Sequence, residues 1–206
     1  MAYTLGIPMD IDKGLYSRKQ QILIAGAKLF HKNGFKGTTL QSIAQEIGIE
    51  GPSLYNHIKS KNEILSTLLL TNAQEFSDRM QEIKSSSEKA LQKLERLISL
   101  HIELTLKNPD AMALMLNEWV HLEKADRTKY VKLRDEYDND FQSILVNSID
   151  EGDLVETEIN LMRFMILSSL RSLYAWTAKY HSFNRIELEV SVKSLILNGI
   201  LKNKNL

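Results

Sequence analysis

An all-α fold in two parts is the expectation for this chain, and three observations carry it. Apolar residues recur at steps of three and four along most of the sequence, the period of a helix with one buried face. Only three prolines interrupt the 206 residues, so long helices are unobstructed. Runs that alternate apolar and polar residues, as strands do, are almost absent. A chain of this length holds a small N-terminal unit and one larger helical domain.

Residues 1–16 show no period and are expected to form a flexible arm. Residues 17–61 then read as three short helices. The first, RKQQILIAGAKLFHKNG, buries Ile22, Leu23, Ala25, Leu29 and Phe30 and stops at Gly34. Thr38, with Gln41 three residues on, has capping-box spacing for a second helix. Leu40, Ile43, Ala44 and Ile47 mark its buried face, and the small Ala44 lets a neighbour approach closely. Gly48 follows where a helix stop needs positive φ. Pro52 suits the first turn of the next helix, because its missing N–H has no intrahelical partner there. That helix is expected at about 52–58, anchored by Leu54. Ser60 and Glu63 form a second capping-box pair and open a fourth helix.

Two short helices across a tight turn place one helix for insertion into the DNA major groove. Charge agrees. The whole chain is neutral, with 26 bases and 26 acids, yet residues 17–61 hold Arg18, Lys19, Lys28, Lys32, Lys36, Lys59 and Lys61 against Glu46 and Glu50. Seven bases against two acids leave +5, which suits phosphate contact. Tyr55, His57 and Lys61 are expected at phosphates. Thr39, Ser42, Gly51, Pro52 and Ser53 are expected nearest base edges, and Thr38 and Asn56 complete the candidate DNA-binding set.

Residues 62–206 read as helix after helix. A connector at 62–84 buries Leu65, Leu68, Leu69, Phe76, Met80 and Ile83. Ser85, Ser86 and Ser87 break it. A helix from Glu88 to about Lys107 is stopped by Asn108-Pro109. A helix with Met112, Met115, Leu116 and Trp119 follows. The next, from about Ala125 to Ile149, carries Tyr130, Leu133, Tyr137, Phe141, Ile144 and Leu145. Glu151-Gly152-Asp153 is a turn, and helices at about 157–180 and 186–203 close the chain. From Ile159 to Ile186 there is no acidic residue. A helix apolar on most sides is buried on most sides, so this one needs a partner besides its own domain. Leu170 and Leu195 are candidate contacts with that partner.

Several classes are disfavoured. The sequence has no cysteine, hence no disulfide, Cys-zinc site or thiol sensor, in keeping with a reducing cytoplasm. The five histidines form no metal-ligand or acid–base spacing, and no Gly-rich phosphate loop appears. No catalytic residue, metal or cofactor is expected. The N-terminus lacks a secretory pattern, and Arg163 and Arg171 break the longest apolar stretch, so no membrane span is expected. The alternative reading is a helical protein–protein adaptor without DNA binding.

The residues RKQQILIAGAKLFHKNG, GTTLQSIAQEIGI and SLYNHIKSK together resemble the N-terminal domain of the tetracycline-repressor (TetR) family, over about Ser17 to Leu65. Two departures stand out. Glu50 sits where the family has a Ser or Thr helix cap, and Ile58 where Phe is commoner. The resemblance implies a homodimer, joined by the last two helices of each chain in a four-helix bundle. It implies a repressor bound to double-stranded palindromic DNA and released by a small effector. For that effector the expected wall is Met112, Met115, Trp119, Tyr137, Phe141 and Tyr174, with His101 as the polar member, since such sites are mostly apolar with few polar groups. The stretch LYAWTAKYHSFNRIELEVSVKSLILNGI resembles a subgroup that responds to acyl-coenzyme A thioesters. Trp176, Tyr180 and Gly199 fit it, while Ser182-Phe183-Asn184 replaces the usual turn. An acyl-coenzyme A effector would then set its phosphates against Lys179, Arg185 or Arg171.

Overall fold

The computed structural model describes residues 16–180 and 183–202. The expected N-terminal arm lies outside them except for Tyr16, as does Ser182 of the final turn. The described residues form α1 (Arg18–Gly37), α2 (Leu40–Glu46), α3 (Gly51–Leu54), α4 (Lys61–Ser85), α5 (Ala90–Lys107), α6 (Pro109–Asn117), a 3₁₀ turn (Trp119–His121), α7 (Lys124–Asp150), α8 (Ile159–Lys179) and α9 (Arg185–Leu197). Among them no helix is long and apolar enough to cross a membrane.

The chain packs as two compact units, and both α4 and α7 contribute to each. One unit takes residues 16–74 and Asn108–Lys132. The expected domain boundary after Lys61 thus marks the start of α4, whereas the unit holding α1–α3 also includes α6 and the 3₁₀ turn. Ser17 caps α1 by accepting from the Gln20 N–H, and the Gln20 carboxamide accepts from Ser17 in return. The core joins Ile22 and Phe30 of α1, Ile43 of α2, Leu54 of α3, Ile58, and Ile64 and Leu65 of α4. Gly26 is required here. A Cβ built on it would lie 2.6 Å from Ile64 Cγ2, so α1 and α4 approach too closely for any side chain. Asn108 both ends α5 and caps α6, accepting from the Ala111 N–H, and α6 lies against α1 with His31 Nδ1 2.6 Å from Asp110 Oδ1.

The other unit takes Glu75–Lys107 and the described residues from Leu133 onward. Its core is built from Phe76, Met80 and Ile83 of α4, Leu94, Leu97 and Ile98 of α5, Phe141, Ile144 and Leu145 of α7, and Met162, Ile166, Leu167 and Leu170 of α8. The last helix stops at Leu197 and does not reach 203. The chain turns back instead, because Val155 N–H donates to Ile200 and Lys202 N–H to Asp153, pairing Leu154 with Leu201. Gly152, at φ +79°, makes the turn that presents this edge.

The expectation for Leu170 is corrected. At 1% exposure it packs into its own unit and is no surface contact. The outward apolar residues of α8 are instead Leu161, Phe164 (63% exposed), Met165 and Trp176, and those of α9 are Ile186, Val190 and Leu195 (80% exposed). Between α8 and α9 runs a groove of about 550 Å³, walled by Leu161, Met165, Leu195 and Ile196. A contiguous apolar surface of this kind marks an interaction site.

Gly26→Ala tests the close approach. The added methyl should lower unfolding free energy by about 1–3 kcal/mol through overpacking. Gly51→Ala, whose Cβ would meet nothing within 4 Å, should stay within about 0.5 kcal/mol of the parent in the same denaturant titration.

Candidate nucleic-acid interface

The helix pair that sequence spacing assigns to DNA forms as α2 and α3, but α3 covers only Gly51–Leu54 and not the expected 52–58, with Tyr55, Asn56 and His57 in the turn that follows it. The first cap of the pair is Thr39, not Thr38. Thr39 Oγ1 accepts from the Ser42 N–H at 3.0 Å, and Ser42 Oγ accepts from the Thr39 N–H at 3.1 Å. Thr38 is 1% exposed, and its hydroxyl donates to the carbonyls of Leu29 and Gly34. Its side chain therefore cannot touch a duplex, and its place in the DNA-binding set is withdrawn. Two adjacent threonines offer the same cap chemistry, and the one facing the interior is taken by the break in α1. That break lies at Gly34, at φ +73°, a conformation glycine adopts without strain.

The turn between α2 and α3 is a Schellman motif. Gly48, at φ +67°, donates to Gln45, and Ile49 donates to Ala44. These bonds satisfy the last carbonyls of α2 and fix how α3 leaves it. Glu50 precedes α3 without a side-chain cap bond, so its carboxylate contributes nothing to the helix start in the way a Ser or Thr would. Leu54 and Ile58 anchor α3 and its trailing turn in the core. Pro52, Ser53, Tyr55, Asn56 and His57 are all exposed, Tyr55 at 60%, and Gly51 is half-buried at the helix start. They form one outward face. Thr39 is also exposed and Ser42 half-exposed beside them.

Lys61 is placed differently from expectation. Its ammonium donates to the carbonyls of Phe35 (2.7 Å) and Thr38 (2.8 Å) and lies 4.3 Å over the Phe35 ring. Two of its three protons are committed to the protein, so it caps the α1–α2 junction before it can hold a phosphate. Ser60 accepts from the Glu63 N–H, but Glu63 returns to the Lys59 N–H. That bond, with Lys19 at 3.3 Å, holds the Glu63 carboxyl below its usual range. Lys28 is paired with Glu46. Lys32, Lys36 and Lys59 are exposed and form no ion pair among the described residues, which suits them to phosphate contact.

The residues expected to line one effector wall are divided between the two units. In the unit of α1–α3, Met112 is buried, Met115 is half-buried, and Trp119 stacks on Tyr130, whose hydroxyl donates to the Met115 carbonyl. In the other unit, His101, Tyr137 and Phe76 form an aromatic cluster that Phe141 extends, while Tyr174 is half-buried. His101 Nε2 lies 2.9 Å from the Tyr137 hydroxyl. Burial, with the nearby Arg171 charge adding to it, pushes the His101 pKa down to about 3, and burial pushes the Tyr137 phenol up. Both are neutral, hydrogen-bonded core groups. Arg171, a candidate phosphate base, is held by both oxygens of Asp138. Lys179 lies over the Tyr180 ring, and Arg185 opens α9.

Residues 87–200 match the family described as tetracyclin repressor-like, C-terminal domain, and residues 22–68 match bacterial regulatory proteins, tetR family. The chain is 25% identical over 182 residues to the fatty acid metabolism regulator protein of Bacillus subtilis (strain 168), covering 87% of this chain and 94% of the relative. It is 25% identical over 205 residues to the HTH-type transcriptional repressor KstR2 of Rhodococcus jostii (strain RHA1), covering 96% and 98%. The crystal structure of AibR in complex with isovaleryl coenzyme A and operator DNA shares the fold, with a TM-score of 0.75 at 18% identity over 88% of this chain and 98% of that one.

His101 gives a pH test. Its folded pKa lies below the unfolded value near 6.5. Between those values the unfolded chain binds the extra proton, so the stabilisation is complete above pH 6.5 and is lost as pH falls toward 3. Roughly 2 kcal/mol should disappear between pH 7.5 and pH 5 in urea titrations. His101→Gln should flatten that dependence, and an unchanged slope would show that the titrating group lies elsewhere.

Proposed function

Because the chain belongs to the tetR family of bacterial regulatory proteins, a family of ligand-responsive DNA-binding regulators, we propose that it represses transcription as a homodimer on a palindromic operator. The observation that carries this reading is the outward face of α3 and of the turn that follows it. The Schellman turn at Gly48 and the anchor Leu54 hold Pro52, Ser53, Tyr55, Asn56 and His57 clear of the core. In this reading Thr39, Ser42, Gly51, Pro52 and Ser53 meet base edges. Tyr55, Asn56 and His57 meet the backbone of the duplex, with Lys36 and Lys59 supplying charge.

The outward apolar residues of α8 and α9 support a dimer joined through these helices. Burying about 1,000 Å² of such surface stabilises by roughly 25 kcal/mol before the entropic cost of association. Two heads then reach half-sites one helical turn apart, roughly 34–36 Å. An effector relieves repression only through different affinity for the DNA-competent and DNA-incompetent states.

The effector class we propose is an acyl-coenzyme A thioester. Its support is the apolar and aromatic composition of the part of the expected wall that one unit holds, His101, Tyr137, Phe141 and Tyr174, the fatty acid metabolism named for the Bacillus subtilis relative, and the isovaleryl coenzyme A bound by the similarly folded AibR. A sugar is the poorer fit, since burying its hydroxyls needs paired polar groups that these stretches lack. Lys179 and Arg185 are the bases for the coenzyme phosphates. Arg171 serves only if Asp138 releases it.

Three measurements check this reading. Lys59→Ala should weaken binding to every duplex alike and lower the salt slope by about one phosphate, whereas Ser53→Ala should change which sequence is selected. Equal behaviour of both variants and the parent in fluorescence anisotropy would remove α3 from the interface. Phe164→Glu and Leu195→Glu should each yield monomers by light scattering, and parental mass in both would place the dimer contact elsewhere. In calorimetry, acyl-coenzyme A thioesters should bind more tightly than the matching free acids, with the difference lost in a Lys179→Ala, Arg185→Ala double variant. Binding of neither series would end the coenzyme A reading and leave the DNA-binding one standing.

A further inference from the structure

Phe35 is held from several sides, all within the unit that carries α1–α3. Its N–H donates to Glu118 Oε2 at 3.3 Å. Its ring stacks on the His121 imidazole, with centroids 5.5 Å apart and planes within 19°, and meets Phe30 edge-on at 5.2 Å. Lys61 lies over the ring and takes the Phe35 carbonyl. Glu118 and His121 are tied to each other in turn. His121 Nε2 is 3.5 Å from Glu118 Oε2, and the His121 N–H donates to the Glu118 carbonyl at 3.0 Å.

The position of this clamp matters. Phe35 is the first residue after Gly34, where α1 breaks. Glycine adopts positive φ readily and resists little, so the angle at the break is fixed by what grips the residues beyond it. Those residues lead directly to Thr39, which starts α2, and through Gly48 to α3. Glu118 comes from the C-terminal end of α6, one residue before Trp119 and three after Met115. Trp119 stacks on Tyr130, which holds the Met115 carbonyl. The end of α6 is thus one connected piece, and a shift of that piece moves the Glu118 carboxylate.

We propose that Glu118 is a positioning residue for DNA reading: its carboxylate sets the Gly34–Phe35 hinge, and with it the angle at which α2 and α3 leave α1. The inference rests on the DNA-binding reading above and adds a second control to it. A change in the distance between two heads alters which operator spacing is preferred. A change at this hinge alters the affinity of one head for one half-site.

The test uses the full chain and a duplex that the native protein selects from random-sequence DNA. Probes are that palindrome, its isolated half-site, and palindromes with one base pair inserted or removed at the centre. Binding is read by fluorescence anisotropy well below each variant's unfolding midpoint. Glu118→Ala should weaken palindrome and half-site alike by about ten-fold, the size of one lost charge-assisted hydrogen bond. Hydrogen exchange at the Phe35 amide should speed up in parallel. Glu118→Gln keeps an acceptor oxygen and should recover most of the affinity. Asp110→Asn loosens α6 from α1 at His31 without touching the hinge and should bind as the parent does.

Parental half-site affinity in Glu118→Ala, an equal loss in Asp110→Asn, or recovery of affinity on a palindrome of altered spacing would each overturn the proposal. Should Glu118→Ala not fold, Glu118→Asp withdraws the carboxylate by one methylene and must show the same loss, and parental affinity there overturns it too. A native protein that selects no duplex would instead remove the DNA-binding reading on which the proposal stands.

Discussion

The reading head depends on one requirement: backbone groups freed where α1 breaks must find partners. An unsatisfied buried polar group costs about 1–3 kcal/mol, and the break at Gly34 turns several carbonyls away from regular helix bonding. The Thr38 hydroxyl takes those of Leu29 and Gly34, and the Lys61 ammonium takes those of Phe35 and Thr38. Meeting that requirement draws the first turn of α4 over the α1–α2 junction. It also turns Thr38 inward and leaves the neighbouring Thr39 to start α2.

With the junction closed, the rest of the head follows from packing. The gap at Gly26 admits α4, and Leu54 and Ile58 seat α3 on the same core. Side chains on the far face of α3 then point outward because no core position remains for them. The exposed lysines around them give the neutral chain a locally cationic end, which supplies sequence-independent attraction to phosphates. In the proposed reading, base-edge contacts from α3 supply selectivity on top of it.

The other unit solves a different problem. His101 and Tyr137 are polar groups inside an aromatic cluster, and they satisfy each other. In the proposed reading, an effector entering that region would have to keep this pair intact or replace its hydrogen bond, which would favour a ligand with one polar group and a long apolar body. Arg171 and Asp138 neutralise each other nearby. The apolar residues of α8 and α9 that remain outward form an exposed hydrophobic surface, and in the proposed reading a second copy of the same helices covers it.

Local chemistry determined much of this protein in advance. Helix periods placed the connector, the long α7 and α8 to within a few residues, and the start but not the end of α9; Gly48 and Gly152 marked their turns because positive φ is a single-residue property. The exposure of Pro52, Ser53 and Tyr55 to His57 followed from Leu54 as the buried anchor, although the helix itself ends at Leu54. What tertiary structure decided is whatever rests on a distant partner. Thr38 and Thr39 are equivalent as cap residues until the break in α1 claims one of them. Lys61 reads as a surface cation until Phe35, 26 residues away, binds it. A helix apolar on nearly every side does not announce which side faces inward, so that Leu170 is buried and Phe164 exposed is settled only once the neighbouring helices are in place. Glu118 carries no local signal at all, since the N–H it receives lies 83 residues earlier. Periodicity and capping act over one turn of helix, while burial and hydrogen-bond satisfaction are settled only when the whole chain has closed around them.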